Sequence, residues 1–164
     1  MKKGQIYIFT ALILIAIAFG VTTGRVMVKP LSPTFSQLHE SFMGEATIAI
    51  NNAVYQNKNV SKQLEDFATL YSQYAKTKDP KFRYLYVLAY QDKMTIHNRL
   101  GKEVSYNFQT LTDNNVYYFD RKETVTLTVD KINYPFKLNP SENVQLKAIF
   151  ISEKDGDKRI KIYT

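Results

Sequence analysis

Cysteine is absent from the 164 residues, and so is tryptophan, while histidine occurs twice, proline five times and glycine six times. Without cysteine there can be no disulfide framework, thiolate metal site, lipid-bearing lipobox or cysteine nucleophile. The two histidines, His39 and His97, form no HxH, HxxxH or HExxH spacing, so the clustering expected of metal ligands is missing. GxSxG, GxGxxG and the P-loop are missing too, and the glycines are dispersed. These gaps remove the usual signatures of a serine hydrolase, a dinucleotide binder and an NTPase. The expectation is therefore a protein with no metal, no cofactor and no enzymatic activity. An unfamiliar enzyme working with carboxylates alone would require two acids to converge in one cleft, and no local spacing foretells that.

Negative charge is missing from the first part of the chain. All 15 acids lie at or after Glu40, whereas Lys2, Lys3, Arg25 and Lys29 precede residue 34. The formal charge of +7 comes from 22 bases. Setting those four aside leaves 18 bases against 15 acids, a net of +3 for residues 34–164. The basicity belongs to the flanks of an apolar segment and not to the body, which argues against a nucleic-acid partner.

That segment is the longest hydrophobic run. From Ile6 to Gly24, 19 residues carry no charge, and as a helix they extend ~28 Å, close to the ~30 Å hydrocarbon core of a bilayer. Ile6, Ile8, Phe9, Leu12, Ile13, Ile15 and Phe19 supply the apolar anchor. The short basic start favours a cytoplasmic N-terminus, leaving the body outside. A cleaved secretory signal has nearly the same grammar, with Ala16-Ile17-Ala18 or Ala18-Phe19-Gly20 as its small-x-small site.

The order Lys3-Gly4-Gln5 directly before the apolar run resembles the class III signal peptides of archaeal type IV pilin-like proteins. The resemblance covers about the first 20 residues. It implies cleavage between Gly4 and Gln5 by a prepilin-type peptidase, leaving the helix on the mature protein, where it can associate with its copies. Two features depart from the wider pilin pattern. Phe9 stands at the fifth mature position, where bacterial-type pilins carry Glu, and Pro30 and Pro33 interrupt a helix that commonly runs on into the head.

These readings divide the chain into a leader (1–4), a transmembrane or pilin-like helix (5–28), a proline hinge (29–33) and an extracytoplasmic α+β domain (34–164). In the last, Phe35, Leu38, Phe42, Ala46, Ala49 and Ala53 recur at helical spacing, predicting a helix over 34–56 with Thr34 as cap. Ser61 is a plausible cap for a second helix over 61–78, carrying Leu64, Phe67, Ala68, Tyr71, Tyr74 and Ala75 on one face and ending at Asp79-Pro80.

Beyond Pro80 the period changes from 3.6 to 2. Phe82 to Tyr90 is apolar on both parities, the pattern of a central strand covered on both faces. Met94–His97, Val104–Gln109, Thr124–Val129, Tyr134–Leu138, Gln145–Ser152 and Lys158–Tyr163 alternate. Separated by short turns, they imply two helices packed on an antiparallel meander of about five to seven strands over 82–163.

Among residues with chemistry, both histidines are expected at surface or half-buried positions. Asp155-Gly156-Asp157, joined by Asp113 and Asp120, offers hard oxygens for Ca²⁺, but D-G between alternating runs is first a hairpin turn. Asn59-Val60-Ser61 is a glycosylation sequon at a turn, with Asn59 the acceptor. Tyr84, Tyr86, Tyr90 and Tyr117-Tyr118-Phe119, with Arg83, Arg121 and Lys122 between them, offer rings to a glycan or partner, or else build sheet core. The expected function is structural or adhesive, as an accessory pilin-like subunit at the membrane or in a surface filament. The alternative is an anchored ligand-binding envelope module that does not polymerise.

Overall fold

A computed structural model describes residues 34–154 and 156–164. The leader, the apolar run and the hinge lie outside the described residues, and with them Gly4, Gln5 and every anchor residue named above. Asp155 lies outside them as well.

Helix α1 spans Phe35–Tyr55 and α2 spans Val60–Lys78. Thr34 caps α1 through a reciprocal pair: its hydroxyl accepts the Gln37 N–H at 3.4 Å, while Gln37 Oε1 accepts the Thr34 N–H at 2.8 Å. The buried face of α1 is Phe35, Leu38, Phe42, Ala46, Ile50 and Ala53, close to the spacing read from sequence. At α2 the cap is Asn59, not Ser61. Asn59 Oδ1 accepts the Lys62 N–H at 3.0 Å, whereas Ser61 lies inside the helix with its hydroxyl 2.9 Å from Thr95 Oγ1. Asp79 closes α2, and Pro80 follows.

Nine strands follow where about five to seven were expected: β1 Arg83–Tyr90, β2 Lys93–Arg99, β3 Val104–Tyr106, β4 Gln109–Leu111, β5 Asn115–Asp120, β6 Thr124–Val129, β7 Ile132–Lys137, β8 Val144–Lys154 and β9 Asp157–Tyr163. They form two antiparallel sheets, ordered β5-β2-β1-β8-β9 and β4-β3-β6-β7. A single meander is therefore the wrong topology, because the chain passes repeatedly between sheets. The two additional strands have local causes. Asn107 and Phe108 both take positive φ (49° and 64°), folding the expected strand 104–109 back on itself as the β3–β4 hairpin and leaving Phe108 exposed at its tip. The Tyr117-Tyr118-Phe119 run is the edge strand β5, paired to β2 in the register Met94↔Phe119 and Ile96↔Tyr117.

The doubly apolar β1 is central, between β2 and β8. Tyr84, Tyr86 and Leu88 face the helices, joining Phe42, Ala46, Leu64, Ala68 and Phe150 in one core. Leu85, Val87 and Ala89 face the second sheet, joining Ile96, Val125, Leu127, Phe136 and Ile149 in another. The domain thus has three layers, helices on sheet on sheet. Buried tyrosine hydroxyls fix the helix layer: Tyr84 of β1 donates to the Ala68 carbonyl of α2, tying sheet to helix, and Tyr71 of α2 donates to the Leu38 carbonyl of α1, tying the helices to each other, each at 2.6 Å.

The helices run antiparallel, which fixes the two ends of the body. Phe35, the first residue of α1, packs on Phe82 at the start of β1, with ring centroids 6.2 Å apart. At the other end Arg121 donates to the carbonyls of Gln91, Asn139 and Glu142 at 3.0, 2.6 and 2.8 Å, clamping three loop positions with one guanidinium.

Phe42 meets Phe67, Tyr71, Tyr84 and Phe150 at centroid distances of 5.5, 5.3, 4.9 and 5.2 Å. Phe42→Ala is expected to cost about 3–5 kcal/mol, against about 1 kcal/mol for loss of the cap in Thr34→Ala. Urea denaturation of the full chain in nonionic detergent, followed by far-UV circular dichroism, measures both.

Candidate functional site

Both histidines are buried, contrary to expectation: His39 is 5% and His97 1% exposed. His39 sits on α1 against Phe35, Phe150 and Tyr163, with Nδ1 2.8 Å from the Tyr163 hydroxyl, so it fastens β9 to the first helix. His97 lies between β2 and α2. Arg99 Nε donates to its Nε2 at 2.9 Å, which places the ring proton on Nδ1, 3.1 Å from the Tyr86 hydroxyl. Burial, assisted by the Arg99 charge, pulls the His97 pKa down to about 4. His39 is also lowered, first by burial. Each is a neutral structural group. Burial raises the phenols of Tyr84 and Tyr86, and these rings are core and not a glycan platform. Tyr90, Tyr117 and Phe119 are half-buried and Tyr118 is exposed.

Of the acids weighed for calcium, Asp155 lies outside the described residues, and Asp113 and Asp120 do not converge. Asp113 and Asp120 bracket β5 at opposite ends. Asp113 accepts from the Gly101 N–H and Asn114 Nδ2, each at 2.6 Å, and Asp120 pairs with Lys93 at 2.8 Å. Gly156 has the positive φ (86°) of a hairpin residue. Among the described residues no group of three His, Asp or Glu side chains could hold a metal ion. Asn59 is exposed. Its Oδ1 is used in capping, and the sequon hydroxyl of Ser61 is engaged by Thr95.

Of the concave features among the described residues, two bear on function. An open groove of about 440 Å³ runs along the outer side of the helix pair between Ser41, Glu45, Phe67, Leu70, Tyr71 and Tyr74. Leu70 and Tyr74 there, and Ile48 and Tyr55 elsewhere on α1, are exposed apolar side chains.

The second feature is a smaller, polar recess of about 200 Å³ at the end of the body that carries Phe35 and Phe82. Ser72 and Lys76 of α2, Arg83 of β1, Arg99 of β2, and Gly101, Asp113 and Asn114 of the following loops line it. Buried Asn98 shapes its rim: Nδ2 donates to the carbonyls of Lys102 and Leu111 at 2.8 and 2.9 Å, and Oδ1 accepts the Leu100 N–H at 3.1 Å. Gly101 takes φ +73°, and a Cβ there would stand 3.0 Å from the Arg83 guanidinium, so this position needs glycine both for backbone and for space. Arg99 is held by His97 and by Thr69 Oγ1 at 3.0 Å; Arg83 is held by the Leu100 carbonyl at 3.3 Å.

Lys76, Arg83 and Arg99 belong to none of the ion pairs among the described residues. Sequence reasoning noted Arg83 only as a base beside aromatics. It had no local signal for the convergence, since the three cations lie on three elements.

Compared with known proteins, the chain matches no family model, no curated protein and no solved structure.

The buried histidines set an acid limit on stability. The lowered folded-state pKa of His97, about 4 against an ordinary 6.5, means that the unfolded chain binds the extra proton first. Stability is retained above pH 6.5 and lost as pH falls toward 4, by about 3 kcal/mol for a shift of this size. His39, Asp120 and Asp130 are also lowered and act with the same sign. Urea midpoints between pH 7.5 and 4 should therefore fall steeply for the native chain and less steeply for His97→Gln.

Proposed function

We propose that the chain is a membrane-anchored extracytoplasmic structural or adhesive protein, an accessory pilin-like subunit carried on its N-terminal helix. The observation that carries this reading is the order Lys3-Gly4-Gln5 followed by 19 uncharged residues, enough for one membrane-spanning helix. After processing, residues 6–24 of that helix carry no charged side chain. It can remain in the bilayer or pack against its copies through van der Waals contacts.

The body supports a role in contact more than in catalysis. Among the described residues no helix is long and apolar enough to cross a membrane, so residues 6–24 are the segment on which anchoring rests. The outer surface of α1 and α2 offers Ile48, Tyr55, Leu70 and Tyr74, together with the groove between the helices, as ground for lateral contact with neighbours. Rings and aliphatic side chains of this kind supply most of the energy at protein interfaces.

A second reading, an anchored module that binds a ligand without polymerising, is favoured by the basic recess. Both readings share the anchor.

Intact-mass measurement with peptide mapping of the protein from native membranes tests the proposal. The expected mature chain begins at Gln5, and Gly4→Leu should abolish that cut and leave the leader in place. A chain retaining Met1 or Lys2 would remove prepilin-type processing and leave a simple anchor. A chain beginning near residue 19 or 21 would remove the anchor itself.

A further inference from the structure

We propose that the recess between Lys76, Arg83 and Arg99 binds the phosphate of an anionic lipid headgroup, gripping the membrane surface on which the body stands. The site stands on the geometry of the described residues, whereas the lipid as the source of the phosphate rests on the anchored reading above.

The charge balance comes first. Two guanidinium groups and one ammonium line a space of about 200 Å³ beside a single carboxylate, Asp113, which accepts from the neutral Gly101 N–H and Asn114, so three positive charges against one negative leave the lining a net +2. Like charges brought this close repel unless an anion stands between them. No carboxylate of the described residues pairs with any of the three.

The donors are also held in place before any ligand arrives. The contacts of Arg99 with His97 and Thr69, and that of Arg83 with the Leu100 carbonyl, use part of each guanidinium fork. The remaining N–H groups are left for an acceptor. Arginine forks fit the geometry of phosphate oxygens, and a lysine adds a mobile point charge. The buried Ser72 hydroxyl completes a lining that is more polar than apolar, and Gly101 lets the loop backbone lie close against the Arg83 guanidinium. The volume suits one headgroup phosphate, not an extended polymer.

Position then selects the source. Phe82 lines the recess and packs against Phe35, so the site opens at the end of the body where α1 begins. Nine residues, 25–33, separate that point from the end of the uncharged run. Fully extended they reach at most about 30 Å, so on the anchored reading the start of α1 stays within that distance of the headgroup layer. Lys78 and Lys81 flank the same helix end in sequence and add attraction to an anionic surface.

The test uses the full chain in nonionic detergent, titrated with dihexanoyl phosphatidic acid, glycerol 3-phosphate, inorganic phosphate and glucuronate. Backbone amide shifts of Gly101 and Asn114 and isothermal calorimetry are the readouts. Saturable binding of the short-chain lipid with shifts at both amides is expected. Arg83→Gln and Lys76→Gln, both at exposed positions, should each weaken it about tenfold. Lys58→Gln, at the opposite end of the body, should not weaken it, and thermal unfolding should be unchanged in all three.

Absence of saturable binding, equal weakening by Lys58→Gln, or a preference for glucuronate would overturn the site. Equal affinity for inorganic phosphate and lipid would keep the site and overturn the lipid assignment. If peptide mapping places the mature start near residue 19 or 21 while phosphate still binds, the anchor fails and the recess survives as a soluble phosphate site.

Discussion

Burial of strand β1 on both faces is the constraint from which the rest of the body follows. A strand reading Tyr-Leu-Tyr-Val-Leu-Ala-Tyr cannot present either side to water at tolerable cost, so two separate layers must cover it. The helix pair covers the side bearing Tyr84, Tyr86 and Leu88, and the smaller sheet covers Leu85, Val87 and Ala89. The tyrosines make the arrangement specific as well as apolar. A phenol in a core needs a partner for its hydroxyl, and the carbonyl of Ala68, which receives Tyr84, exists at the right place only when α2 lies in one position on the sheet. His97 works in the same way from β2, joining Tyr86 to Arg99 and, through it, to Thr69 of α2.

The elements that could be read from sequence are those whose information is local. The helical stripe from Phe35 to Ala53, the Thr34 cap, the stop at Asp79-Pro80 and the double-sided character of β1 each depend on residues within a few positions of one another. The division of the strands into two sheets does not. It depends on which long-range pairs form, and alternation looks the same in either sheet. The hairpin at Asn107-Phe108 was hidden for a different reason: an aromatic residue rarely accepts positive φ, and Val104, Tyr106 and Phe108 continue a period of two through the turn. The burial of His39 and His97 also lay beyond local reading, because a histidine is tolerated inside only when distant partners such as Tyr163, Tyr86 and Arg99 arrive to satisfy it.

The same distinction governs the candidate sites. The residues proposed for anchoring and processing, which lie outside the described residues, are legible as a pattern because they form one continuous run at the start of the sequence. The basic recess is not, because Lys76 lies in the last turn of a helix, Arg83 opens a strand and Arg99 closes another. Only the antiparallel return of α2 and the β1–β2 hairpin bring them to one end. Of the neighbouring acids, Asp113 stands within the lining turned to the Gly101 N–H and forms no ion pair with the three, and Asp79 accepts from the Lys81 N–H and the Ser152 hydroxyl. The site is defined as much by the occupation of its neighbours as by its own side chains.

The borders of the sheets bear on how many copies can be crowded together. β7 carries Pro135 in its middle, opposite Thr126, and β9 alternates Lys158, Arg159 and Lys161 with isoleucines along the free edge of the larger sheet. Proline removes a donor from one rim and like charge repels a second copy from the other. β4 is only three residues long, and β5 ends on Asp120. Molecules concentrated in a two-dimensional layer collide edge to edge far more often than in solution, and open rims would fuse them by strand addition. These rims resist such fusion, so any close approach of two bodies is left to side-chain contacts that can form and release without unravelling either partner.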